Sequence, residues 1–149
     1  MKGYIGVKLI EATPMTRGDY NNYRGWTIPA NENPADEGYL VYYTDDYFSW
    51  SPKGVFDGAY HEIEGQNNSI SQQDVDNFIV DIKSIQFGDK TTVVKATLAN
   101  GYVLVESSSC VDIANFSMNV GREICIEKIK DKVWALLGFL LQCANKGLK

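Results

Sequence analysis

One row of apolar residues dominates the C-terminal part of the chain. Cys125, Ile129, Val133, Leu137 and Leu141 recur at every fourth position, the spacing of one face of an α-helix. Ile126, Leu136, Leu140 and Cys143 flank that row, and Glu123, Glu127, Lys128, Lys130, Asp131 and Lys132 take the other face. The pattern predicts a long amphipathic helix from about Asn119. Its second half is apolar almost all round, which suits a central core helix or a self-association face.

Upstream the period changes from four to two. Thr91 to Leu98 is rich in β-branched residues and Tyr102 to Glu106 returns as its partner, with Asn100-Gly101 between them predicting a type I′ hairpin turn. Ser71 with Asp74 three residues on predicts a capped helix carrying Val75, Phe78, Ile79 and Ile82, followed by a short strand over 84–87. In the first half, Tyr4 to Thr13 partly alternates and reads as a strand. Thr16 and Asp19 open a short helix that ends near Gly25. Residues 28–38 have loop composition, and Tyr39–Tyr43 and Tyr47–Trp50 form a hairpin around Thr44-Asp45-Asp46. Ser51-Pro52 then reads as N-cap and first turn of a helix to about Tyr60. The expected fold class is α+β: antiparallel β-hairpins packed on helices, with one long C-terminal amphipathic helix. The polar stretch 64–69 marks a boundary between an aromatic-rich N-terminal module, residues 1–64, and a C-terminal module, residues 65–149.

The chain has 149 residues, enough for a sizeable core. Its formal net charge of −5 disfavours general binding to phosphate backbones and suits a basic partner surface. The most apolar run, 133–141, is too short to cross a bilayer, and no leader-like apolar segment follows Met1, so no membrane role is expected. Three cysteines make an odd set. Cys125 and Cys143 lie about 27 Å apart on one helix and cannot bridge, so reduced thiols in a cytoplasm are expected.

Chemistry is sparse. The single histidine, His61, sits at a predicted helix end beside Glu62, where an exposed structural role outweighs catalysis. No metal-ligand spacing, phosphate loop or nucleophile motif occurs, and no cofactor, metal or catalytic residue is expected. Two features stand out as ligand-binding candidates. Trp26, Tyr43 and Trp50 with Arg17, Arg24 and Lys53 could stack a base and hold a phosphate, although the same rings could form the module's core. Ser107, Ser108 and Ser109, followed by Cys110, form a polar lip after the hairpin that could hydrogen-bond a ligand or satisfy its own backbone.

Gly101-Tyr102, Glu106 to Asp112, Asn115-Phe116, Gly121, Val133-Trp134 and Gly138 to Leu141 together resemble the gene-product-49-like family of small tailed-bacteriophage proteins. Residues 14–60 are similar to a module common in phages of Gram-positive bacteria. The resemblance implies a phage protein acting in the host bacterial cytoplasm and carries over no catalytic residues. It suggests a non-enzymatic accessory protein that binds and inhibits a host component, an antiviral defence system such as a CRISPR effector. Two alternatives stand beside it: a sponge that sequesters a small nucleotide immune signal, and a structural or replication accessory subunit. The partner is accordingly a host protein or a small nucleotide, with a homo-oligomer through the C-terminal helix as a further option.

Overall fold

The computed structural model describes residues 1–64 and 68–149. Gly65, Gln66 and Asn67 of the expected boundary stretch lie outside the described residues. The fold is α+β, with two three-stranded antiparallel sheets and a long C-terminal helix. The chain divides into two compact units, Met1–Glu62 and Ile63–Gly147.

In the N-terminal unit, strand β1 (Glu11–Pro14) is followed by helix α1 (Arg17–Arg24), strands β2 (Gly38–Tyr42) and β3 (Phe48–Pro52), and helix α2 (Lys53–Ala59). The sheet order is β1-β2-β3. Helix α1 starts where the sequence predicts: the Thr16 hydroxyl accepts from the Asp19 N–H, and Gly25 ends the helix at φ 71°. The loop 25–37 is tied back by Gly18 N–H to Pro34 O and Arg17 N–H to Asp36 O. The core is small: Tyr20, Leu40 and Val41 are buried, together with Asn21.

Two expectations fail here. The strand forecast over 4–13 is confined to Glu11–Pro14. Glu11 already faces Tyr42, the last residue of β2, so residues further upstream have no ladder to join. Ser51 does not cap α2. It pairs with Tyr39 in the sheet, and Pro52 takes the cap position with no side-chain bond.

The C-terminal unit runs helix α3 (Gln72–Phe78), strands β4 (Ile79–Phe87), β5 (Thr91–Leu98) and β6 (Val103–Ser109), a single 3₁₀ turn (Ile113–Asn115), and helix α4 (Met118–Lys146). Ser71 and Asp74 form a reciprocal capping box at α3. Helix α3 stops at Phe78, so Ile79 and Ile82 are strand residues, facing Leu98 and Ala96 across β5. Sheet pairing of a β-branched run overrides their helical spacing. The β5–β6 connection is not type I′. Only Gly101 has positive φ there, 85°. Gly101 N–H bonds Leu98 O and Leu98 N–H bonds Tyr102 O, a three-residue loop ending in a left-handed glycine.

Helix α4 covers one face of this sheet. Cys125, Ile129, Val133 and Leu137 pack with Val75, Phe78, Val94, Ala96 and Leu98 as the core. Leu141 is only half-buried. Leu136, Phe139 and Leu140 remain exposed on the second half of the helix, Phe139 at 70%.

Candidate functional site

The predicted binding residues of the N-terminal unit fall into three neighbouring groups, the first two joined by Tyr20, whose ring centre lies 5.8 Å from the Arg17 guanidinium and 6.0 Å from the Trp26 ring centre. The first surrounds Arg17. Its guanidinium lies 2.6 Å from a Glu32 carboxylate oxygen and 5.1 Å from the centre of the Trp50 ring. The buried Asn21 amide donates to the other Glu32 oxygen at 3.0 Å. Arg17 and Asn21 hold the Glu32 carboxyl below its usual range, and Trp50 Nε1–H donates to Met15 O at 2.8 Å. Arg17 is thereby committed to pinning the loop that carries Glu32. Sequence reading overlooked Glu32 because it lies among loop acids with no periodicity to mark it.

The second place is a patch on the surface. The Arg24 guanidinium lies 4.5 Å from the Trp26 ring centre and 4.9 Å from that of Phe48. Tyr23 meets Phe48 edge-on at 5.7 Å, Tyr42 meets it at 5.7 Å, and the Tyr23 and Tyr42 hydroxyls share a hydrogen bond of 2.9 Å. Tyr23, Trp26 and Tyr42 are 51%, 49% and 39% exposed. The rings therefore do not serve only as core. Helix α1 contributes Tyr23 and Arg24 from its last turn and the β2–β3 hairpin contributes Tyr42 and Phe48, whose partnership the sequence spacing did not reveal.

The third place is a cleft of about 310 Å³ lined by Met15, Thr16, Asp19, Glu37, Tyr39 and Lys53, among others. Lys53 pairs with Asp57 at 2.8 Å and lies 5.9 Å from the Tyr39 ring centre, which stacks on Phe56 at 4.0 Å. Two carboxylates against one ammonium suit this cleft poorly to phosphate. Tyr43 adjoins the third place through Tyr60, to which it is hydrogen-bonded and whose ring centre lies 5.0 Å from that of Phe56. Tyr43 also stacks on Tyr47 at 5.7 Å with Lys8 over its ring.

In the C-terminal unit, Ser107, Ser108 and Ser109 are not a lip in a loop. They pair with Val93, Thr92 and Thr91 as the last residues of β6. The Ser109 and Thr91 hydroxyls bond at 2.7 Å, and Ser107 O accepts from Lys128 Nζ at 3.0 Å. The sheet thus takes up the Ser109 hydroxyl and α4 the Ser107 main-chain carbonyl. Cys110 follows, with its thiol directed at Asp112 O, 3.2 Å away. Among the described residues no group of three or more His, Cys, Asp or Glu side chains is placed to hold a metal ion. No described helix is long and apolar enough to cross a membrane.

Residues 70–144 match the sequence profile of the phage protein (N4 Gp49/phage Sf6 gene 66) family. The matched stretch takes in α3, the whole second sheet and nearly all of α4, while the aromatic–arginine patch lies outside it. No curated protein and no solved structure matches the chain.

Proposed function

The chain belongs to the phage protein (N4 Gp49/phage Sf6 gene 66) family, and from that premise we propose that it is a non-enzymatic accessory protein that binds and inhibits a host component. A component of an antiviral defence system, such as a CRISPR effector, is the target class that fits best. The carrying observation is the surface patch in which exposed Tyr23, Arg24, Trp26 and Tyr42 surround half-buried Phe48. Tyr, Trp and Arg are the residues over-represented among those that dominate protein interfaces, because they bring large, stiff contact area and polar ends together. Here the ring stacking and the Tyr–Tyr hydrogen bond hold the side chains in place before any partner arrives, which lowers the entropic cost of docking. The net charge of −5 favours approach to a basic surface such as a nucleic-acid groove.

The test is phage plating on a host that carries the defence system, with the protein supplied from a plasmid. The native protein should restore plating, and a folded Arg24→Ala/Trp26→Ala variant should lose most of that effect. Equal rescue by both proteins would sink the reading. The nucleotide-sponge alternative is checked by thermal shift with cyclic and linear nucleotides, since saturation at a hundredfold the Kd should add about 2.7 kcal/mol. Exposure of Leu136, Phe139 and Leu140 favours a second reading, an accessory subunit that self-associates through α4. A dimer in sedimentation that Phe139→Asp dissolves would support it.

A further inference from the structure

The second sheet turns an apolar, lysine-centred face away from α4. Register fixes which side chains point where. Ser84, Glu106 and Thr92 face the helix: Arg122 Nε donates to Ser84 Oγ at 3.1 Å, Lys132 pairs with Glu106, and Thr92 lies against Gly121. Their alternate neighbours Lys83, Ile85, Phe87, Lys95, Val103 and Val105 therefore point the other way. An antiparallel sheet with one covered face ordinarily turns polar residues to water on the other. At the end of β4 that pattern is inverted, with Ser84 and Gln86 on the helix side and Ile85 and Phe87 outward. Ile85, Phe87, Val103 and Val105 are 58%, 70%, 44% and 55% exposed. Ile85 and Phe87 lie on one outer strand and Val103 and Val105 on the other, and Val93 of β5, opposite Ile85, joins them on the same face; single exposed apolar residues are unremarkable, whereas such a group marks an interaction surface.

Two cations occupy the middle of this face. Lys83 and Lys95 are directly opposite each other across β4 and β5, where side chains of like charge destabilise a sheet. Among the described residues neither forms an ion pair, and Asp81, the carboxylate that shares their face, is paired with neither. We propose that this face docks an extended protein segment of a partner that carries carboxylates between apolar side chains. A carboxylate set between the two ammoniums would turn their repulsion into attraction, while flanking apolar side chains would cover Ile85, Phe87 and Val105. A second copy of the chain fits poorly, because a two-fold contact through this patch would gather four lysines. Nucleic acid fits poorly as well: the chain is acidic overall, and the face offers two lysines, no arginine and one ring. The inference is independent of the Trp26 patch, whose loss should leave this binding intact.

The test uses the full chain, ¹⁵N-labelled, titrated with a capped decapeptide of repeating Val-Ser-Glu-Ser, which sets Glu between Val on one face of an extended segment. The same peptide with Lys for Glu and a ten-residue oligothymidylate serve as comparisons. Saturable shifts confined to the amides of β4, β5 and β6 around Lys83, Ile85, Lys95 and Val105 are expected with the acidic peptide alone. Lys83→Glu should abolish those shifts while raising Tm by about 1–5 °C, since it converts a like-charge pair into an opposite-charge pair. Absence of saturable shifts would overturn the proposal. So would equal binding of the lysine peptide, tighter binding of the oligonucleotide at the same amides, or unchanged acidic-peptide binding by Lys83→Glu.

Discussion

Gly121 of α4 lies so close to Thr92 of β5 that a methyl group on the glycine would overlap the threonine Oγ1 and Cβ. The contact lets the helix approach the sheet at the start of the core row. Gly121→Ala should destabilise the C-terminal unit by about 1–3 kcal/mol, as overpacking does, and Thr92→Ala in the same chain should recover part of the loss. Gly138 on the same helix has nothing within 4 Å of an added Cβ. Gly138→Ala should stabilise by about 0.5–1 kcal/mol through helix propensity. Urea denaturation of the variants checks the opposite signs.

Asp74 joins the start of α3 to the segment before it. It is 2% exposed, and its carboxylate accepts from the backbone N–H groups of Ser71, at 2.8 Å, and Glu64, at 2.5 Å. Asp74→Ala strands both donors and should cost about 1–3 kcal/mol. Hydrogen exchange should report the loss first at the amides of Glu64 and Ser71.

Acid should weaken the C-terminal unit for a specific reason. Lys132 holds the Glu106 carboxyl below its usual range by hydrogen bonding, and Lys130 does the same for Asp76. The unfolded chain therefore takes up protons first as pH falls. The stabilisation is fully present above the ordinary carboxyl values near pH 4 and is lost as pH drops through the lower folded values. Denaturation midpoints between pH 6 and pH 3 should fall in the native protein and fall less steeply in Glu106→Gln.

The three thiols should react in a fixed order. Cys110 is half-exposed, whereas Cys125 and Cys143 are buried, and burial raises the Cys125 thiol pKa. A thiol reagent at pH 8 should titrate one group in the folded protein and three in denaturant. Cys110→Ser should remove the fast one.

Periodicity disclosed the elements whose energetics are local or one-sided. The α4 row, β5, and the Thr16 and Ser71 caps all come out where spacing and cap chemistry place them. It misjudged elements decided by their partners. Ile79 and Ile82 have helical spacing, yet β5 pairs with them; Tyr4 to Ile10 partly alternate, yet β2 ends too soon to receive them. The candidate site follows the same division. Arg24 and Trp26 were recognisable by composition, but Phe48 and Tyr42 join them only through the register of β2 and β3. Ser107 to Ser109 looked available because nothing local consumed their hydroxyls. Thr91 takes the Ser109 hydroxyl and Lys128 the Ser107 main-chain carbonyl from a distance.

The helix that closes the second core is also the last element of that unit to leave the ribosome. Helix α3 and the three strands follow one another in sequence, and each strand pairs with the next, so the meander closes short loops at little entropic cost. Val94, Ala96 and Leu98 must nevertheless wait for Cys125, Ile129, Val133 and Leu137 to cover them. Until then the inner face of the nascent sheet has only Val75 and Phe78 of α3 against it, and a chain halted before Leu137 would leave part of that apolar face bare, the condition under which unfinished proteins clump or are taken up by chaperones.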